Sequence, residues 1–323
     1  MGNLTVAVLG KQGYSSSLAK KGTSTDITLY NLKKGENTVT LVEPTRYPDR
    51  MAPLFYACSI AKKAIVVIDE LNSTLGESLV MLQCCNISNG YFILQNYISP
   101  DKILPLVKNT ILENYNVIAD DPIALKEMLL TEAEKITPGT STKVEDSLGT
   151  VPVDHAFNVK GIGAVILGVV TKGVIKVHSS MNVLPGIKTT QIRSIQKHDD
   201  NFDLSSEGDR VGLALKNIKV GDVDRGTVLT SDPAVKSSKQ VKAVASLVNY
   251  WTLPIKEGMV LHLGHWMQVL NSKVEAVSHD GDWRKPKLTL SLEKEIIHRP
   301  GDLAVLMYLE GGKLRVAGTI ELP

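Results

Sequence analysis

An α/β domain built on a mostly parallel sheet, followed by two all-β barrels, is the architecture this sequence predicts, and three observations carry it. Residues 1–135 alternate short apolar runs with helix-like stretches. Beyond about residue 150 the helical period disappears, and short β-branched runs are separated by glycine and charged turns. Between the two textures lies Thr137-Pro138-Gly139-Thr140-Ser141-Thr142, a run of turn formers that reads as a linker. A length of 323 residues agrees with two or three domains.

Taken in order, 4–9, 26–32, 38–42, 64–68, 91–94 and 116–119 read as strands, and 50–62, 74–85, 101–113 and 122–135 as helices. Ser99-Pro100-Asp101 is a start signal for the third helix, and Lys33-Lys34-Gly35-Glu36-Asn37 a hairpin turn. Such alternation implies a sheet covered by helices on both faces, with one antiparallel edge. Only the sixteen residues 10–25 separate the first two strands, so the crossover helix expected there is very short or absent. Runs at 165–170, 174–177, 190–195, 210–214 and 226–229 fit one small barrel. Those at 242–248, 260–263, 268–270, 287–292, 303–309 and 314–322 fit a second, with Ser231-Asp232-Pro233 between them.

Composition narrows the function. Lys and Arg number 36 against 34 Asp and Glu, so there is no bulk field to draw in nucleic acid or membrane, and any such contact must be a local patch. No charged leader with an apolar core opens the chain and no apolar run approaches a membrane span, which predicts a cytoplasmic protein with neither membrane nor DNA as a partner. Cys58, Cys84 and Cys85 are an odd count with an adjacent pair, which reads as buried reduced thiols. His262 and His265, three apart on a strand, point to opposite faces, so no metal is expected there.

The chemistry-bearing motif follows the first strand. Gly10-Lys11-Gln12-Gly13-Tyr14-Ser15-Ser16-Ser17 has the frame of a phosphate-binding loop, G-x-x-x-x-G-K-[ST]. Ser15 replaces the second glycine and Ser16 the lysine that reaches the β- and γ-phosphates. Gly10 and the magnesium-side hydroxyl, Ser17, remain.

A phosphate-loop domain followed by two barrels resembles the translational GTPases of the elongation factor Tu class. The second domain makes the resemblance specific. Val151-Pro152-Val153-Asp154-His155-Ala156-Phe157, Gly161-Ile162-Gly163, Lys172-Gly173, Arg193-Ser194-Ile195-Gln196, Gly208-Asp209-Arg210-Val211-Gly212 and Asp224-Arg225-Gly226 follow in family order. The Ser-Ile-Gln and Gly-Asp-Arg forms look most like the selenocysteine-specific elongation factors, the SelB group. The stretch Arg315-Val316-Ala317-Gly318-Thr319-Ile320 resembles the family's close.

The resemblance implies a P-loop-GTPase-like domain over 1–135, a linker over 136–150 and barrels over 151–232 and 239–323, with the nucleotide site degenerate. Lys21-Gly22-Thr23-Ser24-Thr25-Asp26 is similar to the family's switch segment, with Ser24 at the magnesium-sensing threonine. Glu43-Pro44-Thr45-Arg46-Tyr47-Pro48-Asp49 stands for D-T-P-G-H-x-D, which puts Glu43 at the magnesium-side aspartate and Tyr47 at the histidine that orients attacking water. Leu94-Gln95-Asn96-Tyr97-Ile98-Ser99 replaces the base-reading N-K-x-D and offers Asn96 but no carboxylate. Three charge-assisted contacts at about 1.5–3 kcal/mol each come to roughly 5–9 kcal/mol, or four to six decades in affinity. No catalytic residue and no cofactor are therefore expected. Lys11 or Arg46 as a replacement cation would keep GTP and magnesium in play.

In the relatives the second domain helps receive the aminoacyl end of a charged tRNA. Carried over by position, Asp154, His155, Phe157, Gln196, His198 and Arg210 would line that pocket, with Arg210 suited to an anionic side chain. Leu167, however, stands where elongation factor Tu has a threonine. The plainer reading makes these residues a barrel rim packed on the first domain. Trp283, Arg284 and Lys285 form a basic loop in the barrel that meets the tRNA stem in relatives, or a solvated turn. The function implied is a translation factor homologue that has lost GTP binding and hydrolysis and binds aminoacyl-tRNA, the ribosome or translation factors through its barrels. The alternatives are a divergent active GTPase delivering a special aminoacyl-tRNA and a protein-interaction module.

Overall fold

The computed structural model describes residues 2–136 and 148–323, so the turn-rich stretch 137–142 lies outside the described residues. Strand β1 (Asn3–Gly10) ends in a single 3-10 turn, Tyr14–Ser17. It is followed by β2 (Lys20–Ser24), β3 (Thr28–Lys34), β4 (Asn37–Glu43), α1 (Ala52–Ser59), β5 (Lys63–Ile68), α2 (Ser73–Cys84), β6 (Gly90–Leu94), α3 (Pro100–Val107), β7 (Asn116–Ile118) and α4 (Pro122–Lys135). The sheet order is β2-β3-β4-β1-β5-β6-β7. From β4 to β7 the pairings are parallel, and β2 and β3 form the antiparallel edge.

The continuous apolar run of β1 reflects burial on both faces. Val6 and Val8 join Leu125 and Leu129 of α4, while Ala7 and Leu9 join Leu54 of α1 and Leu79 of α2. The expected crossover helix is reduced to the one 3-10 turn. One sequence expectation needs correction, and one strand was missed. The third helix stops at Val107 instead of running to 113, because Pro105 lies inside it and Lys108 turns extended; a 3-10 turn resumes at Ile111–Asn114. The exposed edge strand β2 carries no apolar alternation, and its pairing with β3 was illegible in the sequence.

The first barrel runs through β8 (Thr150–Val159), β9 (Gly163–Val169), β10 (Val174–Lys176), β11 (Ser180–Leu184), β12 (Lys188–Lys197), β13 (Asp200–Phe202), β14 (Leu204–Ser206), β15 (Arg210–Lys216) and β16 (Val228–Thr230). Its sheet order is β11-β16-β8-β9-β15-β12-β13, and pairing of β11 with β12 closes the ring. The second barrel is closed in the order β17 (Lys236–Leu247), β20 (Lys287–His298), β19 (Gln268–Ser278), β18 (Val260–His265), β21 (Leu303–Met307), β22 (Val316–Glu321).

Apolar packing joins the three parts. Val305, Met307 and Val316 of the second barrel belong to the same core as α1 and α2. A Cβ at Gly264 would come within 2.7 Å of the Phe55 ring, so the barrel backbone lies directly on α1. Ile27, Leu29, Val42, Ala57 and Ile60 of the sheet domain meet Val169 of one barrel and Met267 of the other. Ion pairs reinforce these contacts, among them those of Arg315 and Arg225. Arg315 binds Glu77 at 2.6 Å and Arg225 binds both oxygens of Asp26 at 2.7 and 2.8 Å.

Candidate functional site

The phosphate-loop frame is filled from within. Glu43, at the end of β4 beside β1, accepts the backbone N–H of Gly13 at 2.9 Å and of Ser15 at 2.6 Å, one on each carboxylate oxygen. The carboxylate is buried. Gly13 holds φ +78° to present its amide, and amides presented by such a loop form an anion cradle. The surviving Gly10 has a structural reason of its own: φ is +88°, and a Cβ would lie 2.0 Å from the Val67 carbonyl oxygen.

The other motif positions are equally engaged by protein groups. Ser16 and Ser17 donate their hydroxyls back to the carbonyls of Gly13 and Tyr14, at 2.6 and 2.8 Å. Ser24 shares a hydrogen bond with Thr28 at 2.9 Å, and Asn96 donates to the Asp69 carbonyl at 3.0 Å. Lys11 donates to Gln95, which in turn donates to Asp120. Tyr47 is buried, and its hydroxyl lies 2.9 Å from the Thr74 carbonyl and 3.1 Å from Glu77, the partner of Arg315. Burial and the Glu77 charge push its phenol well above the ordinary tyrosine range, so it stays protonated. The remaining space over Gly10, Lys11, Glu43 and Tyr47 measures about 90 Å³, against roughly 300–1,000 Å³ for a ligand pocket. Glu77 and Arg315 were not foreseen, since 238 residues separate them.

A larger cavity, about 680 Å³, opens between the β2–β3 edge and the outer face of the first barrel. Four of the six residues expected there line it: Phe157, Gln196, His198 and Arg210. Asp154 and His155 are not among its lining residues. Asp154 is fully buried beneath and binds both terminal nitrogens of Arg210. Burial alone would raise its carboxyl, but Arg210 and then His155 hold it down at about 2. His155 bridges the domains, with Nδ1 2.6 Å from Asp154 and Nε2 3.1 Å from the Thr25 hydroxyl. His198 sits in a two-residue turn with Asp199, at φ +48° and +71°, the geometry that suits strand twist. Burial, then the charge of Arg210, lowers its imidazole to about 4, so it is neutral.

Trp283, Arg284 and Lys285 lie apart from this cavity, in the β19–β20 loop of the other barrel. Arg284 stacks over the Trp283 ring at 4.1 Å, while that ring also packs on the barrel core, so the indole is an anchor for the loop. Among the described residues no cluster of His, Cys, Asp and Glu could hold a metal ion, and no helix is long and apolar enough to cross a membrane.

A mixed-sheet domain with helices, followed by two closed barrels, is the architecture of the elongation factor Tu and SelB class. Residues 163–230 match the family described as Elongation factor Tu domain 2. The chain is 37% identical to an uncharacterized protein of Methanocaldococcus jannaschii, with 100% of both covered. It is 25% identical to the selenocysteine-specific elongation factor of the same organism, over 94% of this chain and 71% of that one. Among solved structures, translation elongation factor SelB from Methanococcus maripaludis, in complex with the GTP analogue GppNHp, is similar with a TM-score of 0.80 at 21% identity. That match covers 99% of this chain and 79% of that one. By sequence family over residues 163–230, and by fold over its whole length, the chain is similar to the elongation factor Tu and SelB class of translation factors.

Proposed function

We propose that this protein is a translation factor homologue that works without a nucleotide switch, binding an aminoacyl-tRNA through the cavity between its sheet domain and first barrel. The observation that carries the reading is the Glu43 carboxylate on the amides of Gly13 and Ser15. Those donors are the ones a nucleotide phosphate would use. A phosphate would have to displace a buried carboxylate, and like charges repel in so confined a site.

A family member with a switch turns γ-phosphate contacts into domain rearrangement. Here the rearrangement would cost the Arg315–Glu77 and Arg225–Asp26 pairs together with the shared apolar core. A ligand with no differential affinity for two states shifts neither, so the domains hold one arrangement. The cavity is then permanently open to its ligand, and RNA binding needs no GTP.

Calorimetric titration with GTP and GDP, alongside filter binding of charged tRNA without nucleotide, tests both halves. The expected result is no nucleotide binding at tens of micromolar and charged tRNA bound more tightly than uncharged. A GTP dissociation constant below about 10 μM, or tRNA binding that appears only with GTP, would overturn the reading. Equal binding of charged and uncharged tRNA would leave only phosphate electrostatics.

A further inference from the structure

We infer that the cavity selects a bulky, uncharged, apolar side chain on the acyl group it receives; this rests on the aminoacyl-tRNA reading above. The floor is the outer face of four barrel strands. Strand register sets two rows side by side across β8, β9, β15 and β12. One row is Phe157, Val165, Ala214 and Ser194, and the other is Leu167, Gly212 and Gln196, continued beyond the cavity by His155. The middle of this face is apolar or small; Phe157 stands at its β8 edge and the polar Ser194 and Gln196 at its β12 edge.

Two large apolar side chains are left open to solvent at this floor, Phe157 at 41% exposed and Ile162 at 44%. Burying them under a ligand releases water from apolar surface. Gly212 keeps the centre low. Its backbone is not left-handed, and a Cβ there would stand 3.4 Å from Leu167, so this glycine serves space and not a turn.

The charges of the inner wall are already satisfied. Arg210 is held by Asp154 through two nitrogens, and Lys33 is paired with Asp200. The His198 imidazole is neutral. A carboxylate side chain entering against this wall would lose its water with no unpaired cation on the wall to meet it, which is costly. Lys20 and Lys21 make no ion pair among the described residues, but they stand on the exposed edge strand β2 across the cavity. That position suits phosphates at the mouth and not a side chain on the floor. The sequence expectation that Arg210 attracts an anionic side chain thus meets a guanidinium whose charge is already matched.

The test charges one tRNA body in turn with phenylalanine, leucine, serine and aspartate, and measures competition for the full-length protein. Phenylalanyl- and leucyl-tRNA should bind at least about 10-fold more tightly than aspartyl-tRNA, within the roughly 10–200-fold range open to apolar pockets. Phe157→Ala and Gly212→Val should each reduce that ratio several-fold. Phe157 is half exposed, so its truncation leaves the barrel folded, as a wild-type-like thermal melt will check. Equal affinity for all four forms, or a preference for aspartate, overturns the inference while the aminoacyl-tRNA reading stands. Failure of every charged tRNA to bind better than uncharged tRNA overturns that reading and this inference with it.

Discussion

Replacing Glu43 with alanine should both destabilise the sheet domain and open an anion site that the wild type lacks. The carboxylate accepts two amides at 2.9 and 2.6 Å and is 5% exposed. Leaving the buried Ser15 amide without an acceptor costs about 1–3 kcal/mol, and the part-buried Gly13 amide adds a smaller loss. Relief from burying a charge offsets part of this, so a net loss of about 1–3 kcal/mol is expected, or several degrees in melting temperature. Inorganic phosphate should return the loss selectively, since an anion at a hundred times its dissociation constant adds about 2.7 kcal/mol. Glu43→Gln should fall between, because the amide side chain has one acceptor oxygen for two N–H donors. The assay is a thermal melt of each protein across a phosphate series at constant ionic strength. The reasoning is refuted if Glu43→Ala melts within about 1 °C of the wild type, or if phosphate stabilises both proteins equally.

Four further outcomes are expected. Arg210→Ala should destabilise by about 3–5 kcal/mol in urea, because it strands the buried Asp154 charge; a smaller loss than 1 kcal/mol would contradict the pairing. Between about pH 6.5 and 4 the unfolded chain protonates His198 while the folded chain does not. Stability should therefore fall as pH drops through that window, and less steeply in His198→Gln than in the wild type when urea midpoints are compared. X-ray scattering profiles with and without GTP and magnesium should superimpose for the wild type, and a nucleotide-dependent change in radius of gyration would count against a fixed arrangement. Paired Arg284→Ala and Lys285→Ala should flatten the salt dependence of tRNA binding by about two phosphate contacts, leaving the ratio of charged to uncharged affinity as it was.

The sheet apart from its edge strand β2, the two barrels and the missing crossover helix were legible in the sequence, because these rest on local signals. Period-two alternation, continuous apolar strands and turn residues report burial within a few positions of themselves, and a gap of sixteen residues, 10–25, cannot hold a loop, a helix and a switch. The sequence also located Glu43, Tyr47, Phe157 and Arg210 at their motif positions. What each of them does was decided by the tertiary structure. Glu43 fills the loop because β4 pairs parallel to β1 and ends beside it. Tyr47 packs against Glu77 and Arg315 because the second barrel closes over α2. Arg210 is no free cation because Asp154, 56 residues away, reaches it under the barrel face. Periodicity reports only whether a side chain is inside or outside. The force a charge exerts depends on which group stands within a few ångströms of it, and in this chain those groups come from distant strands.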